Sequence, residues 1–334
     1  MSLRKGAQLL VVGGWIVLSF ALCINGFALS EKEESAQSLT HYMMGLIYDW
    51  QDEPLKAIEQ YRKTKALDTD SFQAHLRLGL DYARTGKLKE AIEELKNASR
   101  LNPQDLQSHY FLALVYTAMK KGAAASQEYE IILKNFSKEE PQNTQILLYL
   151  GQLYFQQKKL DEAVAQFRQI IKLEPKNIDA LFFLGTLFEA KGDTDEAISY
   201  FKQVISVDPK HSASLNSLGY LYAQQGRNLN EAEGLIKLAL ELEPNNGAYM
   251  DSLGWVYFKK ATVNNDPKLL QAAIQQLERA NSLLPDPEIL AHLGEAYLKN
   301  NEVLKAKGLW RKSLEMDSSQ KELKEKLERI EIAP

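Results

Sequence analysis

Three of the five histidines, His41, His75 and His109, stand 34 residues apart. Neutral imidazole is the commonest metal ligand among side chains, so a ladder of histidines raises the question of a metal site. Nitrogens that share a zinc must each come within about 2 Å of it, whereas equivalent residues on neighbouring packed helices lie roughly 8 to 10 Å apart. The ladder therefore reads as packing rather than ligation. Glu139 and Glu140 are paired carboxylates, but they sit in a polar connector and read as solvated charge. No His-Glu-x-x-His, paired-cysteine, phosphate-binding glycine loop or Ser/His/Asp order stands anywhere in the chain. Cys23 is the only cysteine, so no disulfide can form within the chain. No metal, cofactor or catalytic group is expected, and the chain is not expected to be an enzyme.

The histidine spacing belongs to a wider pattern. A small residue recurs at Gly45, Gly79, Ala113, Gly151, Gly185, Gly219, Gly254 and Gly294, at intervals of 34, 34, 38, 34, 34, 35 and 40. Three residues after each stands an aromatic: Tyr48, Tyr82, Tyr116, Tyr154, Phe188, Tyr222, Tyr257 and Tyr297, in a chain that is 9% aromatic. Twelve residues after the small position comes an alanine (Ala57, Ala91, Ala125, Ala163, Ala197, Ala306), displaced to Ala232 and Ala273 in two copies. Four residues beyond the alanine lies a bulky residue: Tyr61, Leu95, Tyr129, Phe167, Phe201, Ile236, Leu277 and Trp310. Most copies close with proline, at Pro103, Pro175, Pro209, Pro244 and Pro285, where the missing N–H stops a helix.

Each copy reads as two helices, the first with glycine and aromatic on one stripe, the second with alanine and bulky residue on another. Glycine costs a helix about 1 kcal/mol relative to alanine, and what it gains here is close approach of the partner helix. The stretches "LGLDYA…EAIEELKNASRLNP" and "LGYLYA…EAEGLIKLALELEP" resemble tetratricopeptide repeats. The resemblance runs from Leu39 to about Ser318 and covers eight copies; Thr69, Ser137 and Ser318 replace the closing proline in three of them. It implies an all-α fold, a right-handed α-solenoid of about eight helix-turn-helix repeats, in which stacking neighbours bury each copy's stripe. The expected order is a signal or anchor segment over 1–30, a polar linker over 31–38, the repeats over 39–318, and a capping helix and tail over 319–334. In the cap, Leu323, Leu327 and Ile330 share a stripe. Two insertions, Ser137–Thr144 and Thr262–Lys268, are expected to lengthen a connector and a turn.

The repeats leave no room for a separate catalytic domain in 334 residues. Net charge is −4 with both signs interspersed, which offers no basic stripe for a phosphate backbone. Neither nucleic acid nor a small-molecule substrate is expected. In the repeat family the first helices line a concave groove that receives a partner peptide or helix, and the resemblance implies the same use here. The residues that map to that face include Tyr42, Tyr110, Phe182, Asn216, Tyr220, Asp251, Trp255 and Phe258. A polar residue one turn before a large amphipathic aromatic is poor core but good recognition surface, which singles out Asn216 with Tyr220 and Asp251 with Trp255. Arg77 is the one base in the matching columns of the first three copies, so the expected partner segment is apolar or aromatic, not acidic.

The amino terminus carries Arg4 and Lys5, then no charge until Glu31, with Ala7 to Ile24 its most apolar part. That length lies between a signal-peptide core and a membrane-spanning helix. An uncleaved anchor with the repeats on the extracytoplasmic, periplasmic side is the first expectation; a cleaved signal releasing them is the alternative. Two functions fit: a non-enzymatic scaffold or assembly factor, exported or tethered to a membrane, or a recruiting subunit of an envelope enzyme such as a protease or glycan synthase.

Overall fold

The computed structural model describes residue 30 and residues 32–332. Seventeen helices and no strand occur among them. The expected signal or anchor segment lies outside the described residues. Among those described, no helix is long and apolar enough to cross a membrane.

The contacts divide the chain into two compact units, one up to Ile146 and one from Leu147 onward. The first holds α1 (32–50), α2 (Pro54–Leu67), α3 (Phe72–Arg84), α4 (Leu88–Leu101), α5 (Leu106–Ala118) and α6 (Gly122–Glu139). The second holds nearly all of α7 (Thr144–Gln156), then α8 (Leu160–Leu173), α9 (Ile178–Ala190), α10 (Thr194–Val207), α11 (Ser212–Gln224) and α12 (Leu229–Leu242). It continues through α13 (Gly247–Asn264), α14 (Pro267–Leu283), α15 (Pro287–Lys299), α16 (Val303–Met316) and α17 (Lys321–Ile332).

Local chemistry explains where these helices begin and end. First helices open on side-chain caps: Ser71, Asp105, Asn177, Asn246 and Asp286 each accept a hydrogen bond from a backbone N–H in the first turn. The turn inside each repeat passes through a residue of positive φ, such as Gly86 (76°) and Gly192 (78°), where the left-handed conformation suits glycine, and the turn before α12 passes through two, Gly226 and Asn228. Second helices end just before the proline-bearing connectors, as α4 does two residues before Pro103.

Packing follows the repeat columns. A Cβ placed on Gly79, Gly151, Gly185, Gly219, Gly254 or Gly294 would run into Leu95, Phe167, Phe201, Ile236, Leu277 or Trp310 respectively, each the bulky residue of its own repeat. Those residues are completely buried. The aromatic column lies to one side of this contact and is covered by basic residues: Lys87 over Tyr82, Lys159 over Tyr154 and Lys305 over Tyr297, with Nζ 5.8, 5.5 and 4.6 Å from the ring centres. At the end of the second unit, Leu323 and Leu327 of α17 close over Trp310.

The insertions depart from expectation. The first extends α6 to 18 residues, against 14 in α4. The second extends α13 to 18 residues and α14 to 17, leaving only Asn265 and Asp266 between them. The first insertion, about four residues, equals one helical turn, and the second is shared between α13 and α14, so both are absorbed by helix rather than by a longer loop.

Candidate functional site

The three periodic histidines each reach a residue 19 positions further along, on the second helix of the same repeat. His41 Nδ1 lies 2.8 Å from Gln60 Oε1, His75 Nδ1 2.6 Å from Glu94 Oε2, and His109 Nδ1 2.7 Å from Glu128 Oε2. Lys65 adds a second hydrogen bond to Glu94 at 2.6 Å, and His75 Nε2 faces the Thr69 carbonyl at 3.1 Å. The partner column, Gln60, Glu94 and Glu128, repeats every 34 residues like the histidines and was readable in the sequence. These are cross-helix ties. No group of three metal-ligating side chains occurs among the described residues.

The sequence-derived groove residues on α11 and α13 come together, and residues of α15 join them. Helical spacing sets Asn216 and Tyr220 on one face of α11, and Asp251, Trp255 and Phe258 on one face of α13. The Trp255 ring stacks on His292 of α15 at 4.0 Å between centres and on Phe258 at 4.9 Å, with interplanar angles of 19° and 15°. Lys259 Nζ lies 4.8 Å from the same ring. Burial lowers the pKa of Lys259, with Lys326 acting the same way and Glu295 opposing it. The Tyr220 hydroxyl donates to Glu288 Oε1 and accepts from Gln224 Nε2 at 3.2 Å. Burial, then the Glu288 charge, raise the pKa of the Tyr220 hydroxyl well above the usual phenol range. Glu189 of α9 is raised by burial first and by Glu288 second, so two carboxylates and a phenol share this region.

Asp251 departs from expectation. It is buried, and both its carboxylate oxygens lie 3.0 Å from His292 Nδ1. A carboxylate can only accept there, so Nδ1 carries the proton. Asp251 holds the imidazole on which Trp255 stacks and offers no surface for recognition. His292 and Glu288 escaped the sequence reading because they stand two and six residues before the small column, outside the positions the groove pattern selects.

Two polar atoms here have no partner among the described residues, Asn216 Oδ1 and Trp255 Nε1. One can only accept and the other only donate. The remaining expected residues lie elsewhere. Phe182 packs on Phe183, Phe201 and His211 at 6.1, 5.9 and 5.1 Å. In the first unit, Tyr42 packs on Tyr61 at 5.7 Å and joins a core cluster with Ala57 and Leu78, while Tyr110 is 48% exposed.

The comparisons with known proteins agree with this architecture. Family models described as "TPR repeat" match residues 79–120 and 151–192, and a "Tetratricopeptide repeat" model matches residues 188–253. No curated protein sequence matches the chain. Among solved structures, a tetratricopeptide repeat protein from Parabacteroides merdae is similar at 20% identity and a TM-score of 0.57, covering 77% of this chain and 98% of its own. A chain of the APC/C hetero-tetramer Cut9–Hcn1 is similar at 16% identity and a TM-score of 0.54, covering 83% of this chain and 52% of its own. At such identities the likeness is one of fold. Repeat columns, paired helices and family models agree, and residues 79–120 and 151–253 of the chain are tetratricopeptide repeats.

Proposed function

We propose that the protein is a non-enzymatic scaffold or assembly factor that holds an apolar or aromatic segment of a protein partner against α11, α13 and α15. The observation that carries this reading is the Trp255, Phe258 and His292 stack, with the Tyr220 ring tilted against His292 at 6.1 Å. Large amphipathic rings held in one conformation lose little entropy when a partner docks, which is why tyrosine and tryptophan dominate binding hot spots. The chain is exported, and Ala7 to Ile24 tethers it to a membrane with the repeats on the extracytoplasmic side. The support for this is in the sequence: Arg4 and Lys5 before an uncharged apolar stretch.

Binding is tested with a photocrosslinking amino acid at Phe258 in cells, comparing Trp255→Ala with the parent. A crosslinked partner that disappears with Trp255→Ala, while the melting temperature holds, is the expected result. A crosslink indifferent to Trp255 refutes the groove. Export is tested with a reporter, active only outside the cytosol, fused after Pro334; a silent fusion alongside an active cytosolic one refutes the topology.

A further inference from the structure

The first and last helices turn different faces outward. α17 points Leu323 and Leu327 inward over Trp310 and leaves Lys321, Glu322, Lys324, Glu325, Lys326 and Glu328 exposed, the polar outer face that keeps a repeat array soluble. α1 has no such face. In later repeats the residue before the small column and the residue two after it are buried against the second helix of the preceding repeat. Leu112 and Val115 of α5 join Leu95 and Ala98 of α4, and Leu293 and Ala296 of α15 join Ile274 and Leu277 of α14. The same columns of α1 hold Met44, 36% exposed, and Ile47, 44% exposed. Among the described residues no helix precedes α1 to cover them.

Leu39, Met43 and Trp50 widen this patch. With Ile47 they stand at i, i+4, i+8 and i+11 on one helix face, and Trp50 is 87% exposed. The five exposures together equal nearly three fully exposed large residues, about 550 Å² at roughly 200 Å² each. Two such patches face to face would bury about 1,100 Å², above the roughly 1,000 Å² that a specific interface needs. Charge argues against lipid as the cover. Helices that lie on a membrane surface are rich in Lys and Arg on the polar face, whereas α1 carries Lys32 against Glu33, Glu34 and Asp49. Columns that elsewhere seat a helix call for a helix, and a second α1 is one of matching length and apolar character.

We propose that a second copy of this chain covers the patch, α1 against α1, so that the protein pairs through its first helix. Under two-fold symmetry the same surface is used twice and must complement itself. The unbranched side chains of Met43 and Met44 suit that demand, since they repack readily against a facing copy. The surface uses neither Ala7 to Ile24 nor the Trp255 face, so each can fail without the others.

A photocrosslinking amino acid at Met43 of the full chain, expressed in cells as two differently tagged copies, reads what covers the patch. The expected product joins the two tags and maps to α1 of the second copy, in the membrane and soluble fractions alike. For the purified full chain, the melting temperature should rise with protein concentration, as pairing requires. Trp50→Glu should weaken pairing by about a hundredfold or more, because each pair would bury two unpaired charges, and should remove the concentration dependence. Ile47→Glu, one turn away, gives a second route should Trp50→Glu misfold, while Val263→Glu on α13 should leave pairing unchanged. Failure to join the tags, a lipid adduct, a crosslink to residues 7–24 of the same chain, or capture of a different protein at Met43 overturns the proposal. A melting temperature independent of concentration, or pairing indifferent to both glutamates on α1, overturns it as well.

Discussion

The same substitution should have opposite effects at two glycines. At Gly254 on α13, an added Cβ would lie 2.7 Å from Leu277 Cγ, 2.9 Å from Leu277 Cδ2 and 3.3 Å from the Ala273 carbonyl oxygen. Carbon atoms sit comfortably at about 3.5 to 4.0 Å, so Leu277 would have to retreat by close to 1 Å. It has little room to do so, being completely buried against Ala261, Ile274 and Leu293. Overpacking of this kind costs about 1 to 3 kcal/mol, against which alanine recovers roughly 1 kcal/mol of helix propensity. Gly254→Ala should therefore destabilise by up to about 2 kcal/mol. At Gly308 on α16 nothing lies within 4 Å of the added Cβ, so Gly308→Ala should stabilise by roughly the propensity alone, about 1 kcal/mol. Urea unfolding followed by helical circular dichroism reads the direction of both. Hydrogen exchange places the loss, since repeat arrays need not unfold in one step. If Gly254→Ala raised the midpoint as Gly308→Ala does, the close approach of α13 and α14 would not be what excludes a side chain.

Further consequences follow from the polar contacts. Burial, followed by the neighbouring Asp49, pushes the Asp81 carboxyl up to about 7, while Arg84 opposes the rise; Tyr61, Arg77 and Asp52 are the other titratable groups around it. A carboxyl whose folded pKa is raised stabilises the fold below its unfolded value near 3.8 and loses that contribution as pH climbs to about 7. The melting temperature should therefore fall between pH 4 and pH 8 by more in the parent than in Asp81→Asn; equal slopes refute the assignment. His75→Ala should lower the urea midpoint by the equivalent of about 1 to 3 kcal/mol, because Glu94 stays buried with only Lys65 as its partner. His41→Ala, whose partner is the neutral Gln60, should cost less, and equal losses would show that the carboxylate tie is not what matters. Trp255→Ala should cut partner capture at least tenfold with a smaller effect on melting than Gly254→Ala, measured by crosslinking yield beside calorimetry.

The all-α repeat architecture was legible because it rests on columns: a small residue meeting a bulky one inside each repeat is a one-dimensional rule, and each of the six glycines from Gly79 to Gly294 obeys it. The insertions were not legible in the same way. Whether extra residues make a loop or a turn of helix depends on their continuing the helix register, and in the added turn of α13 Ala261 does so, packing into the core while Val263 stays exposed. The site was half legible. Tyr220, Trp255 and Phe258 follow from helical spacing, while Glu288 and His292 arrive from a helix more than thirty residues further along, through contacts that no periodicity announces. Asp251 misleads for the same reason. Its polarity next to Trp255 suggests a surface, but the imidazole that covers it comes from another repeat.

That misdirection bears on how such a face works. Asp251 and His292 are buried under the aromatic cluster, and a buried carboxylate–imidazole contact is a weak source of net stability. What it does supply is direction. A carboxylate with both oxygens on Nδ1 fixes the imidazole plane, the plane fixes Trp255 by stacking at 4.0 Å, and Trp255 fixes Phe258 at 4.9 Å. Each contact reduces the freedom of the next ring before any partner arrives, so the ordering cost is met in folding rather than in binding. The unmet atoms are a different matter: Asn216 Oδ1 and Trp255 Nε1 are buried without a partner, a cost that the fold carries beside the ordered rings.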